Sequence, residues 1–395
     1  MLLFATALWP LFQIGRACLG ERGAYWTLVF FLAQPLIIVI SGRAGTDGLC
    51  LALSIWFFYL ADRLIQKGEM RWWLPTAVVA SLAAVSKVPF FMAMGLAVGL
   101  VLLLDRERAR SARLWLLLMS IGIVSALAFF AWTHYTNWLA AQAEFPYVEL
   151  RVEKSGALRS FFFGDLHYRL NPYNWGKGGW RVLNSTLGSL GLIVLPVAGL
   201  YSKGSRVAKA LLAGAFLTTL VFTQLVLVHS HYFLMVCPGV ALLCAAGVKE
   251  LEHLAPPAAI ESYFYTPCIA LALALGSVQG LIGSKIALNY DRYPAEICAI
   301  IRQHTKPDEK IIIFGGGWGG RELFSSGRKG LSVQTSEALA QMACGKALRS
   351  LQELGFNRLV LLSESPLLAA LQESNPGSAY KRAHYPSSIC PAVDS

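Results

Sequence analysis

Ser41-Gly-Arg-Ala-Gly-Thr-Asp-Gly48 separates two apolar runs, roughly 24–40 and 49–61, and sets Arg43 and Asp47 at their junction. Ionisable side chains at the edge of a hydrocarbon layer are costly, so a pair placed there points to anchorage or to function. Outward from this octapeptide, apolar runs recur at about 1–14, 24–40, 49–61, 73–86, 88–104, 114–133, 183–201, 209–228, 232–247 and 262–283, and ten crossings are expected. The runs at 49–61, 73–86 and 88–104 fall short of the ~20 residues of a straight span and read as short, tilted or re-entrant. Bulk composition agrees: 55% of residues are hydrophobic and 14% charged, with a mean hydropathy of +0.52. Soluble domains carry about a quarter charged residues. The fold class is therefore an α-helical multi-pass membrane protein.

Orientation follows from the basic residues in the short connections. One alternating set holds Arg16 and Arg22; Arg63, Lys67 and Arg71; Arg106, Arg108, Arg110 and Arg113; Lys203, Arg206 and Lys209; and Lys249. The opposite set has Arg43, Lys87 and the uncharged His229-Ser-His231. Thirteen against two assigns the first set to the cytoplasm, in the manner of a bacterial inner or plasma membrane protein. The 134–182 connection and the tail beyond about 284 then lie outside. The net charge of +11 is mostly this inner bias, and no basic stripe with interleaved aromatics calls for nucleic acid. Met1 also falls outside, at the head of an apolar run with no basic leader. The expectation is that at least one further span and its outer loop precede it.

The chain divides into a membrane portion, 1–283, and a more polar portion, 284–395, where 13 Lys or Arg face 10 Asp or Glu. In the second, helical stretches (294–302, 336–354, 366–372) alternate with apolar runs at Lys310–Phe314 and Asn357–Leu362. That alternation predicts a small extracytoplasmic α/β domain with a partly parallel sheet. Gly315-Gly-Gly-Trp-Gly-Gly320, after the first strand, matches no nucleotide-binding fingerprint and reads as a permissive turn. The 134–182 connection reads as a long outer loop. Its aromatics, Phe161-Phe-Phe163, Tyr168, Tyr173, Trp175 and Trp180, suit either the membrane interface or the face of a sugar ring.

Three groups at the outer rim can carry chemistry. Asp47 or Thr46 can cap the helix that begins near Gly48, or Asp47 can face an outer cavity with Arg43 holding an anionic group. Lys87, in Val85-Ser-Lys-Val-Pro-Phe90, can snorkel to the headgroups or join Arg43 as a cation for phosphate. His229, His231 and Tyr232 sit in one tight turn; two histidines are too few to specify a metal, and a polar membrane-edge turn accounts for them.

The order of these motifs resembles a known family. Ile14-Gly-Arg-Ala-Cys-Leu-Gly-Glu-Arg-Gly-Ala24 leads into an apolar helix, followed by Arg43-Ala-Gly-Thr-Asp47, Ser86-Lys-Val-Pro89 and His231-Tyr-Phe-Leu-Met-Val-Cys-Pro238. Over roughly residues 1–250 this is similar to the GT-C glycosyltransferases that use polyprenyl-phosphate sugars, in particular the protein O-mannosyltransferase and lipid A aminoarabinose transferase group. The resemblance implies a membrane enzyme that moves a sugar, with inversion, from a polyprenyl-phosphate donor to a lipid, glycan or protein acceptor on the outer face. It maps the family's second acid to Asp47, its lysine turn to Lys87 and its late tyrosine to Tyr232. Arg43, Lys87, His231 and Tyr232 are then expected around the donor phosphate, with Tyr168, Arg169 and Trp175 on a loop over the sugar. Asp47 is expected to activate the acceptor, orient the site or hold a divalent cation. The family's first span and acidic outer loop have no counterpart after Met1, and Val88 stands where the family commonly has Gly. The rival classes are a lipid or sugar transporter, which would carry paired charges inside its spans and an internal repeat, and a non-catalytic, degenerate scaffold.

Overall fold

Glycine and proline decide where the apolar runs bend. The computed structural model describes residues 2–41, 46–142, 162–254, 266–283, 298–314, 326–333 and 355–361, in two compact units, Met1–Ser284 and Lys285–Ser395. The first begins with α1 (Leu2–Thr6), α2 (Leu8–Ala33) and α3 (Pro35–Ser41). Gly20 interrupts α2 at φ 82°, ψ −179°, a backbone region that glycine enters without steric cost. The two arms fold back on each other. The Phe12 and Tyr25 rings lie 5.2 Å apart, although thirteen residues of straight helix would separate them by about 20 Å. A Cβ on Gly15 would sit 3.0 Å from Ala24. Arg16 and Arg22 flank this turn, so the runs at 1–14 and 24–40 remain two segments.

The second arm breaks again at Gln34, which is extended (φ −64°, ψ 129°) ahead of Pro35. Gln34 Nε2 donates to the Cys237 carbonyl at 2.9 Å, and Ser277 Oγ donates to the Ala33 carbonyl at 2.7 Å. The second bond satisfies a carbonyl that the helix break would otherwise leave unpaired in an apolar layer, and the first ties the break to the start of another helix.

Next come α4 (Thr46–Lys67), α5 (Trp73–Ser86), α6 (Val88–Leu104), α7 (Arg106–Ala109) and α8 (Ala112–Gln142). They are followed by α9 (Leu166–Leu170), α10 (Pro172–Thr186), α11 (Val194–Tyr201), α12 (Arg206–Val221), α13 (Thr223–Val228), α14 (Cys237–Leu254) and α15 (Thr266–Gly283). Thr46–Lys67, Ala112–Leu139 and Lys203–Val221 are each long and apolar enough to cross a membrane alone, and counting two bent pairs gives up to five such spans among the described residues. That is fewer than the ten crossings expected from the sequence, because several of the apolar runs form helices too short or too bent to count as spans by themselves. The protein is an integral membrane protein of mostly helical build. Small residues let the helices close on one another: a Cβ on Gly199 would lie 2.0 Å from the Leu243 carbonyl oxygen, and one on Gly247 2.0 Å from that of Leu195.

The basic connections gather at one end of the bundle. Arg22 pairs with Glu252 at 2.7 Å, Gly204 packs against the Cys18 carbonyl, and Arg206 Nη2 donates to the Val101 carbonyl at 3.1 Å. Asp47 lies at the opposite end of α4 from Arg63 and Lys67.

One expectation is corrected. The 134–182 connection is not a loop throughout: α8 runs on to Gln142, and α9 and α10 occupy its second half. Helix continues past His134 because the next breaker in the chain is Pro146. Asp165 and Asn171 supply the N-caps, accepting from Tyr168 N at 2.6 Å and Tyr173 N at 3.0 Å, and Pro172 follows at the first helical position. Residues 143–161 lie outside the described residues.

In the second unit a helix over 298–304 accompanies a parallel sheet of β1 (Lys310–Phe314), β2 (Lys329–Val333) and β3 (Phe356–Leu361), in the order β2-β1-β3. Ile311, Ile312 and Ile313 of β1 are buried, as a strand flanked on both sides requires. β2 was not expected: Lys-Gly-Leu-Ser-Val is too short and too mixed to show a strand period. The expected helices at 336–354 and 366–372, and the glycine turn at 315–320, lie outside the described residues.

Candidate active site

Lys87 is the single extended residue (φ −158°, ψ 107°) between α5 and α6. Its N–H donates to the Ala83 carbonyl, and its own carbonyl accepts from Phe90 N and Phe91 N, with Pro89 in the first turn of α6. The backbone is pinned from both sides, so the side chain leaves it in a set direction. Lys87 Nζ forms an ion pair with Asp47 Oδ1, forty residues earlier, with both side chains about one-fifth exposed. Asp47 stands in the first turn of α4, where the helix dipole favours an anion. No described residue bonds its second carboxylate oxygen.

Below this pair lies an aromatic bed. Lys87 Nζ is 4.9 Å from the centre of the Tyr232 ring, a cation–π distance worth ~0.5–2 kcal/mol, and the Phe90 ring is 6.0 Å from that of Tyr232. His231 lies 4.5 Å from Tyr232 and 5.4 Å from His229. All three belong to the turn after α13, where a 3-10 segment spans Ser230–Met235. The structure therefore brings together Asp47, Lys87, His231 and Tyr232, from three separate parts of the chain. Arg43 lies outside the described residues.

Burial and the neighbouring cation control protonation here. Burial, then the Lys87 charge, pushes His231 down to about 4, against the opposing pull of Asp47. His229 is lowered by burial and by the charges of Lys87 and Arg181. At neutral pH the turn thus presents neutral imidazoles and a neutral phenol. His231 binds a proton less readily in the fold than in the unfolded chain, where its value is about 6.5. Its contribution to stability is constant above pH ~6.5 and declines as pH falls from there toward 4. The thermal midpoint in detergent should accordingly drop between pH 7 and 5, and drop less in His231→Gln; an equal drop in both proteins would remove His231 from this role.

The segment from Phe162 to Thr186 is less free than a sugar-covering loop would be. Arg169 Nε donates to the Phe163 carbonyl at 2.8 Å and its Nη2 to that of Val221 at 3.1 Å. Trp175 Nε1 donates to the Arg169 carbonyl at 2.6 Å, and its ring packs 6.2 Å from Phe216. Both side chains are used to fasten α9 and α10 to the end of α12. Tyr168 is half-buried; burial raises its phenol, and the nearby Arg181 offsets part of that rise. Sequence reasoning missed Arg181 and Phe90. The available signals were a lone arginine beside Trp180 and an aromatic three residues beyond the lysine. No group of three His, Cys, Asp or Glu side chains among the described residues is placed to hold a metal ion.

A kinked bundle with a charged pair at one rim can now be compared with known proteins. The structure of ArnT from Cupriavidus metallidurans bound to undecaprenyl phosphate superposes with a TM-score of 0.59 at 14% identity, over 94% of this chain and 79% of that one. The apo state of the same protein gives 0.57 at 14% identity, with the same coverage. The chain has the GT-C fold. Residues 1–133 of this GT-C chain also match the family model described as dolichyl-phosphate-mannose-protein mannosyltransferase. That stretch contains Asp47 and Lys87 but ends before the His229–Tyr232 turn. No curated protein matches the sequence.

Proposed function

We propose that this GT-C protein is a glycosyltransferase that moves a sugar from a polyprenyl phosphate to an acceptor hydroxyl at the outer surface of the membrane. The observation that carries the reading is the Asp47–Lys87 ion pair, seated on Tyr232 at the rim opposite the basic connections. The positive-inside bias makes that opposite rim the outer one, where a lipid-linked donor can be supplied and a nucleotide sugar cannot. Two further observations support it: ArnT, of the same fold, holds undecaprenyl phosphate, and the model matching residues 1–133 describes a mannosyltransferase that uses a lipid-linked sugar. The second unit, on this reading, is extracytoplasmic.

In the reaction the acceptor oxygen attacks the anomeric carbon with inversion. The bond from that carbon to the phosphate oxygen breaks, and polyprenyl phosphate leaves with the electron pair. Negative charge grows on the phosphate in the transition state, and a cation in a site shielded from water stabilises it. Lys87 is placed for that role, with Arg43 expected beside it from the sequence. Asp47 holds the Lys87 ammonium, and its second oxygen, bonded by no described residue, can accept from a sugar or acceptor hydroxyl. His231 and Tyr232 supply neutral hydrogen-bonding groups. Tyr168, with Arg169 and Trp175 holding its helix in place, borders the sugar.

The test is purified protein in proteoliposomes with a radiolabelled polyprenyl-phosphate sugar and acceptor-containing membrane extract. Label passing to an acceptor, with polyprenyl phosphate released, is the expected result. Label crossing the bilayer while still attached to its lipid would make the protein a transporter. Neither outcome, from folded protein, would make it a scaffold.

A further inference from the structure

Arg181, on α10, reaches the start of the turn that carries His229, His231 and Tyr232. Its Nη1 donates to the Leu227 carbonyl at 2.9 Å and to the Val228 carbonyl at 3.2 Å, the last two residues before His229. Those acceptors are neutral, and no carboxylate among the described residues pairs with this guanidinium. The charge of Lys87, by contrast, is matched by Asp47. Asp47, Lys87 and Arg181 together therefore leave one uncompensated positive charge at the rim, and it belongs to Arg181.

Arg169 is also bound to carbonyls, but at Val221 and Phe163. Val221 lies a whole helix, α13, before the turn. The charge of Arg181 acts on the His229 imidazole, and its bonds to the two residues just before it place it there. With Nη1 occupied, the Nε and Nη2 hydrogens of Arg181 remain, an arrangement suited to two oxygens of one phosphate.

We infer that Arg181 is a phosphate-binding residue of the lipid-donor site, contacting the phosphate across the His229–Tyr232 turn from Lys87. The inference rests on the proposed function and deepens it. The Asp47–Lys87 pair becomes a neutral anchor that orients the donor, and Arg181 becomes the residue that selects a phosphate-bearing lipid over the free alcohol.

The test compares the dissociation constants of undecaprenyl phosphate and undecaprenol, read from tryptophan fluorescence, for wild type, Arg181→Gln and Arg181→Lys. The ratio of the two constants is the readout, because a merely structural loss weakens both lipids together. A charge-assisted hydrogen bond is worth enough for a tenfold or larger effect. Arg181→Gln should cut the wild-type preference for the phosphate by tenfold or more, and Arg181→Lys, which keeps the charge but loses the two-pronged contact, by threefold or more. A wild-type preference that survives in Arg181→Gln would overturn the inference and leave the proposed function standing. No preference in the wild type would overturn the proposed function and the inference with it. Should Arg181→Gln fail to fold, Arg181→Lys decides: a lowered ratio supports the two-pronged contact, and an unchanged ratio overturns it.

Discussion

Asp47→Asn is expected to lower sugar transfer by about a hundredfold to ten-thousandfold, the usual range for removing a carboxylate that acts on a reacting proton or holds the group that does. In free energy this is roughly 3–5 kcal/mol of transition-state stabilisation. Asparagine keeps the size of the side chain and is as acceptable as aspartate near a helix start, so α4 should still form. What disappears is the anion facing Lys87 at one-fifth exposure. The ammonium is then free to fold back over the Tyr232 ring or into the headgroups. A purely structural aspartate would show its loss as a lower thermal midpoint with transfer per folded molecule unchanged. A positioning aspartate shows the reverse, and Asp47→Asn with Lys87→Gln should cost little more than the worse single change, because the two act as a unit. Wild-type turnover in folded Asp47→Asn would take this residue out of the mechanism.

The second large effect is on the bundle itself. Gly247→Val should lower stability by about 3 kcal/mol or more, at the upper end of overpacking costs, or roughly 4 °C or more in the midpoint for a chain of this size. The obstacle is backbone: a Cβ at 247 would meet the Leu195 carbonyl oxygen at 2.0 Å, and neither helix can yield without losing its own hydrogen bonds. The reciprocal contact, Gly199 on the Leu243 carbonyl, is equally short, so Gly199→Val should behave alike. Gly99→Ala is the comparison, since nothing lies within 4 Å of a Cβ there; alanine should be neutral or better in that helix. Equal midpoints for Gly247→Val and Gly99→Ala, by thermal denaturation in one detergent, would show that α11 and α14 do not pack this closely. The contact bears on the site because α14 starts two residues after the Ser230–Met235 segment.

Much of the candidate site could be read before any fold was known, for a specific reason. A hydrocarbon layer suppresses charge, so Asp47 and Lys87 stood out against apolar runs on either side. Their pairing with each other was not legible: Arg43, four residues from Asp47, was the nearer candidate, and only the approach of α4 to the α5–α6 junction selects Lys87 across forty residues. Arg181 was hidden for the converse reason. It sits in a helix with many polar neighbours, where one more arginine carries no signal until its carbonyl partners at 227 and 228 are known. Arg169 and Trp175 were read as open to a sugar, and their bonds turn inward instead.

The sequence by itself determined that this is a helical membrane protein, which rim carries the basic residues, and which few polar side chains occupy the other rim. Those properties follow from partition between water and lipid, and partition acts on each segment separately. Only the tertiary structure decided which helices fold back, at Gly20 and Gln34, that Lys87 pairs with Asp47, and that Arg181 bonds to the carbonyls just before His229. These depend on distances between segments far apart in the chain, set by helix packing and hydrogen bonds that no local pattern of residues encodes.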